Sequence, residues 1–205
     1  PVTNLDGLKN LVSVRCDLTI TAAYTGETLA GLENLTACES LRIGSAAHPN
    51  ETLRQLSLPA LKEIKGDLCV YGTALQTADF KSLQSVAGHF VLQSDALLQL
   101  TADELTTVAG NMTLIGTTAD EAKAPCEQMY FPKLQRIDGT LTLSRFDRLS
   151  GLGTTFGVLT QAGALRYEHL ALANTFEFPL IETTGNITVT DCPILRSVLL
   201  PALTD

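Results

Sequence analysis

The chain has 205 residues, 22 acidic and 14 basic, for a formal net charge of −8. Hydrophobic residues make up 45% and charged ones only 18%, which excludes a disordered chain. An acidic chain without a basic stripe argues against nucleic acid and anionic membrane surfaces. No apolar run reaches the ~18 residues of a bilayer-spanning helix, so direct membrane insertion is not expected.

Taken in chain order, the predicted elements repeat. The first copy runs through Leu11, Val14, Cys16, Leu18 and Ile20. A degenerate copy follows at Leu35, Cys38, Leu41 and Ile43. Four regular copies come next: Leu61-Lys-Glu-Ile64-Lys-Gly66-Asp-Leu68-Cys-Val70; Leu83, Val86, Gly88, Phe90 and Leu92; Leu105, Val108, Gly110, Met112 and Leu114; and Leu134, Ile137, Gly139, Leu141 and Leu143. A weaker copy is placed at Leu165, Leu170 and Leu172, and the last at Gly185, Ile187 and Val189. The general form is L-x-x-[IV]-x-G-x-[LFM]-x-[LV], with Cys16 standing in the glycine slot of the first copy.

A second half-pattern links Leu53, Leu56 and Leu58 with Leu75, Ala78 and Phe80, and with Leu195, Val198 and Leu200. With strand centres at Leu18, Leu41, Leu68, Phe90, Met112, Leu141, Leu170 and Ile187, the steps are 23, 27, 22, 22, 29, 29 and 17 residues. Fixed-period self-similarity of this kind marks a solenoid. In L-x-L the two leucines face one side of a strand and the middle residue the other. One coil cannot bury its own apolar row, whereas coils stacked ~4.8 Å apart can, and eight of them span roughly 38 Å. The predicted fold is all-β, a single domain over 1–205. It is a right-handed, leucine-rich-repeat-like parallel β-helix of about eight coils of 22–29 residues. The glycine slot predicts a corner that needs φ > 0 or close backbone approach.

Two stretches break the period. Residues 117–130 include Ala119–Ala124, which reads as a helical turn ended by Pro125; residues 151–163 are Gly- and Thr-rich and read as a surface loop. The chain opens at Pro1 without an initiator Met, and Leu200-Pro-Ala-Leu203 repeats Leu58-Pro-Ala-Leu61, which opens a coil. The expectation is a piece of a longer protein, with a further coil, cap and anchor encoded elsewhere or supplied by a neighbour.

Four of the seven asparagines stand in N-x-T triplets: Asn34, Asn50, Asn111 and Asn186. With 26 Thr in the chain, chance gives about one. The reading is N-glycosylation in a secretory pathway, against the alternative that Thr-rich strands generate the triplet unaided. Asn111 and Asn186 share one repeat slot, three coils apart, and Asn50 is placed in an exposed loop. The sugars would close one edge and shift any ligand face to the second sheet near Phe80 and Leu100, or to the two insertions. The five cysteines form no C-x-x-C, which speaks against a zinc or redox site. Cys16 and Cys38 fall at nearly the same corner of adjacent coils, about 5 Å apart by stacking, and predict a disulfide. Cys126 and Cys192 are a weaker pair, leaving Cys69 single.

Catalytic signals are few. His48, His89 and His169 are isolated, no nucleophile elbow or phosphate loop occurs, and no cofactor or metal is implied. The predicted outward row is Thr19, Arg42, Cys69, Val91, Thr113, Thr142, Ala171 and Thr188, without a carboxylate. A polysaccharide-cleaving β-helix would need an acid and a base flanking one bond. The T-x-T pairs at 19/21, 140/142 and 188/190 are too interrupted for a flat hydroxyl array. Tyr71, Arg145 and Phe146, at strand ends, are the candidate binding surface.

The stretches Leu58–Leu68, Phe131–Leu141, Gly7–Leu11 and Gly31–Leu35 resemble receptor L domains, the ligand-binding domains of insulin- and EGF-receptor ectodomains. They resemble even more the L-domain-like repeats of fungal GPI-anchored wall proteins and of some protist and bacterial surface proteins. The resemblance spans nearly the whole chain but rests on core and corner residues. It implies a right-handed β-helix whose outward face binds protein ligands; with no Cys-rich module or kinase, receptor signalling is not implied. The function expected is a non-catalytic extracellular cell-surface or cell-wall domain for adhesion, ligand recognition or assembly. Its partners would be a protein or glycan ligand, copies of itself, or other modules of the same chain. The alternatives are a structural subunit stacked through open solenoid ends and a carbohydrate-active enzyme.

Overall fold

The computed structural model describes residues 2–117, 125–149 and 155–204. After a short 3-10 turn at Asp6–Leu8, the chain winds through eight coils of about 22 residues. Coil 1 carries β1 (Ser13–Val14) and β2 (Leu18–Ile20). Coil 2 carries β3 (Ala37–Cys38), β4 (Leu41–Ile43) and β5 (Gln55–Ser57), and coil 3 β6 (Glu63–Ile64), β7 (Leu68–Tyr71) and β8 (Thr77–Asp79). Coil 4 carries β9 (Ser85–Val86), β10 (Phe90–Gln93) and β11 (Gln99–Thr101), and coil 5 β12 (Thr107–Val108), β13 (Met112–Ile115) and β14 (Gln128–Tyr130). In coil 6 the first two strands merge as β15 (Arg136–Ser144). Coil 7 has β16 (Gln161–Glu168) and β17 (Thr175–Glu177), and coil 8 has β18 (Thr183–Thr184), β19 (Ile187–Thr190) and β20 (Ser197–Leu199).

Every strand pairing among the described residues is parallel and joins one coil to the next. The protein is therefore a β-solenoid with three sides. The first side holds the two-residue strands, the second the longer strands such as β7 and β10, and the third β5, β8, β11 and β14, then β17 and β20. Alternation sets which residues face in. Leu68, Phe90, Met112, Leu141 and Leu165 form one fully covered row, and Val70, Leu92, Leu114, Leu143 and Tyr167 a second. Burial of each such side chain contributes about 1.5–3 kcal/mol, and only stacking makes that burial available. An aromatic column fills the interior. Phe90 lies 5.9 Å from Phe80 and 6.5 Å from Phe131, which stacks on Phe156 at 5.4 Å; Phe156, Phe178, Tyr167 and Phe176 continue it.

The glycine slot works by close approach. The positive-φ glycines of the described chain are Gly31 and Gly44, neither in the slot. A Cβ at Gly88 or Gly110 would lie 2.7 Å from the carbonyl oxygen of the glycine one coil earlier. Glycine thus lets the corner backbones hydrogen-bond to each other, Gly88 N–H to Gly66 at 2.8 Å and Gly110 N–H to Gly88 at 2.9 Å.

Three expectations change. The seventh strand centre is Leu165, which pairs with Leu141 and Ile187; Leu170 lies beyond the strand. Arg166 therefore replaces Ala171 in the outward row. The two period breaks are shorter than expected, because Gln128–Tyr130 and Gln161–Gly163 are strand residues with partners on adjacent coils. The helical turn expected at 119–124 lies outside the described residues. Thr155 to Val158 forms a turn that buries Phe156.

Candidate functional site

The four N-x-T asparagines do not share one environment. Asn111 and Asn186 are exposed, in the same slot of coils 5 and 8, three coils apart. Asn34 is also exposed, its Nδ2 donating to the Lys9 carbonyl at 2.7 Å. Asn50 corrects the expectation of an exposed loop. It is fully buried; Nδ2 donates to the Tyr24 carbonyl at 2.9 Å, and Oδ1 accepts from the N–H groups of Thr52 and Leu53. Its amide closes a corner between coils 1 and 2, and a sugar on Nδ2 has no room. Nothing in the triplet itself separates it from the exposed three.

Asn111 belongs to a polar ladder at the corner between the first and second sides. Ser40 Oγ accepts from Asp67 N–H at 3.3 Å. Asp67 Oδ1 accepts from His89 N–H, His89 Nδ1 from Asn111 N–H, and Asn111 Oδ1 from Thr140 N–H, each at 2.9 Å. The His89 bond holds the Asp67 carboxyl below the usual carboxylate range, helped by a 3.1 Å contact from the Arg42 guanidinium. The ladder spends the acceptor atom of Asn111 and leaves its exposed Nδ2 without a hydrogen bond to the described residues.

The outward face of the second side is Thr19, Arg42, Cys69, Val91, Thr113, Thr142, Arg166 and Thr188. Its charges are internally matched. Arg42 reaches Asp17 at 3.5 Å as well as Asp67, and Arg166 holds Glu168 at 2.6 Å. The candidate surface residues are not brought together. Tyr71 is half-buried at the end of β7, and Arg145 stands three coils away with φ 61°. Phe146 is wholly buried in the core and is withdrawn as a surface residue.

Phe80 and Leu100, expected to mark an open face on another sheet, are likewise core residues. The third side instead presents Gln55, Thr77, Gln99 and Gln128 in one row and Ser57, Asp79, Thr101 and Tyr130 in the next. Between coils 3 and 4 lies a shallow groove of about 330 Å³ lined by Thr77, Asp79, Lys81, Gln99, Thr101 and Asp103. Tyr130, 42% exposed, ends the row and bonds to Gln128. Amides, hydroxyls, two carboxylates and one aromatic ring form a face suited to polar ligands. Sequence reasoning missed it because these residues are the unremarked partners of the inward leucines.

All five cysteines are free, which overturns the expected Cys16–Cys38 bond and its weaker companion Cys126–Cys192. Coil 2 has one residue fewer at its corner, so the ladder sets Cys38 opposite Val14, not opposite Cys16. Cys38 then faces the core while Cys16 is exposed. Burial, with Asp17 and Glu39 nearby, pushes the Cys38 thiol up to about 11, and burial does the same for Cys126. Cys69 is half-buried on the outward face between Arg42 and Val91. His48 is exposed, and His169 faces Asp191 at 3.2 Å. Among the described residues no three His, Cys, Asp or Glu side chains are grouped to hold a metal, and no helix is long and apolar enough to cross a membrane.

No family model, curated protein or solved structure matches this chain.

Proposed function

We propose that this chain is a non-catalytic, glycosylated extracellular domain of a cell-surface or cell-wall protein, acting in adhesion, ligand recognition or assembly. The observation that carries the reading is the pair Asn111 and Asn186: two exposed N-x-T asparagines in one slot of the solenoid. Sugars at both would stand about 14 Å apart along the corner between the first and second sides, by three coil spacings. A flat protein partner could not cover that corner. The third side, with its polar groove and Tyr130, stays open and is the ligand face in this reading. The matched charges of the second side support a binding role over hydrolysis, since Glu168 is engaged by Arg166. Labelling intact source cells with a membrane-impermeant amine reagent tests the compartment. Modification of Lys81 or Lys133 from outside is expected; labelling only after lysis overturns the reading.

A further inference from the structure

The third side repeats its outward chemistry coil by coil. Gln55, Thr77, Gln99 and Gln128 stand in register along the solenoid axis, and a bridge between Thr28 and Gln55 carries the row into coil 1. Ser57, Asp79, Thr101 and Tyr130 form the parallel row two residues further along each strand. Each coil thus offers one outward pair, and successive pairs stand about 4.8 Å apart. The groove between coils 3 and 4 lies in the middle of this array.

Much of the hydrogen-bonding capacity is unspent. Gln99 Nε2 donates to Thr101 Oγ1 at 3.3 Å, the Lys81 N–H reaches Asp79 Oδ1 at 3.1 Å, and Tyr130 bonds to Gln128. The side chains of Gln55, Thr77 and Asp103 have no partner among the described residues. Amides and hydroxyls both donate and accept, as sugar hydroxyls do, and one planar amide can hold two neighbouring hydroxyls. The exposed Tyr130 ring offers a flat surface to the C–H face of a pyranose.

We infer that the third side binds an extended, uncharged β-linked glycan chain, laid along the solenoid axis across coils 2 to 5 with one sugar ring to each coil. The pitch supports this placement. An equatorially linked pyranose advances along its chain by nearly one coil spacing, so successive rings meet successive outward pairs in the same register. An α-linked chain curls and loses that register. Charge sets the second condition. Asp79 and Asp103 line the groove against one cation, Lys81, on a chain of net charge −8, so an anionic polymer is repelled. A protein ligand fits this face less well. Protein interfaces have apolar cores, and in coils 2 to 5 the exposed large apolar side chains among the described residues are Leu98 and Tyr130.

The inference rests on the reading of the third side as the ligand face, not on the compartment, and its test uses unglycosylated protein. Cellohexaose is titrated into the full chain while the side-chain amide signals of Gln55, Gln99 and Gln128 are followed by NMR. Expected are saturable shifts at those amides and at least tenfold weaker binding by the exposed-face variants Gln99→Ala and Tyr130→Ala. Gln161→Ala, on the first side, should bind as the parent does. Maltohexaose, the α-linked isomer, and the anionic hexagalacturonate should each bind at least tenfold more weakly than cellohexaose. No saturable shift with cellohexaose overturns the inference and leaves the face to a protein ligand. Equal binding of maltohexaose overturns it as well. Saturable shifts confined to another side overturn both the inference and the choice of ligand face. The compartment is decided separately by the cell labelling: a chain that binds cellohexaose here but labels only after lysis keeps this inference and loses that reading.

Discussion

His89 Nδ1 accepts a hydrogen bond from the backbone N–H of Asn111 at 2.9 Å, one coil away. A ring nitrogen that accepts carries no hydrogen, so the imidazole N–H sits on Nε2. Asn at this position keeps an acceptor, as Asn111 does for Thr140. His89→Asn should hold stability nearly constant, while His89→Ala should lose about 1 kcal/mol. Urea midpoints of the two variants check this; equal losses would remove the ladder as a stabilising feature.

Asp67 gives the same ladder an acid limb. Its carboxyl is held low by His89 N–H and then Arg42, so its folded pKa lies below its unfolded one. The stability it contributes is present above about pH 4 and lost as pH falls through the folded value. Asp67→Asn should flatten the decline of the urea midpoint below about pH 4 and leave the slope near pH 7 unchanged. An unaltered acid limb would contradict the assignment.

The corner glycines predict a sharp contrast. Gly110→Ala brings a methyl to 2.7 Å from Gly88 C and O and from His89 Nδ1, whereas at Gly7 nothing lies within 4 Å. Overpacking of this kind costs typically about 1–3 kcal/mol, and more where backbone must move. Gly110→Ala should lower the thermal midpoint by several degrees, whereas Gly7→Ala should change the unfolding free energy by no more than about 0.5 kcal/mol.

Tyr167 is fully buried against Phe176, ring centroids 4.4 Å apart, and its hydroxyl has no hydrogen-bond partner among the described residues. Removing an unpaired buried hydroxyl relieves a desolvation cost of about 1–3 kcal/mol. Tyr167→Phe is expected to raise the midpoint of denaturation. A clear loss would mean that the hydroxyl is satisfied in solution.

The thiols give a test without substitution. Cys16 should react with maleimide in the native state, and Cys38 and Cys126, buried and with raised pKa, only on unfolding. Thermal midpoints with and without reductant should coincide.

The solenoid was legible because its signal is redundant: Leu68, Phe90 and Met112 repeat the same pattern at a step of 22 residues, and Leu141 repeats it again after an insertion. Where one residue was lost, at the corner of coil 2, the reading of Cys16 and Cys38 failed, since a slip of one residue turns a side chain to the opposite face. The seventh coil was misplaced at Leu170 because Tyr167 stands where the other copies carry an aliphatic residue. Asn50 could not be told from Asn111 by its triplet, since burial is decided by Tyr24, a coil away. The polar third side had no pattern to find, because outward strand residues are constrained only by solvent.

Glycopeptide mass spectrometry on protein from its native source tests the central claim most directly. The account predicts hexosamine-bearing glycans at Asn111 and Asn186 and an unmodified, buried Asn50. Unmodified asparagine at both Asn111 and Asn186, or a glycan on Asn50, would contradict it.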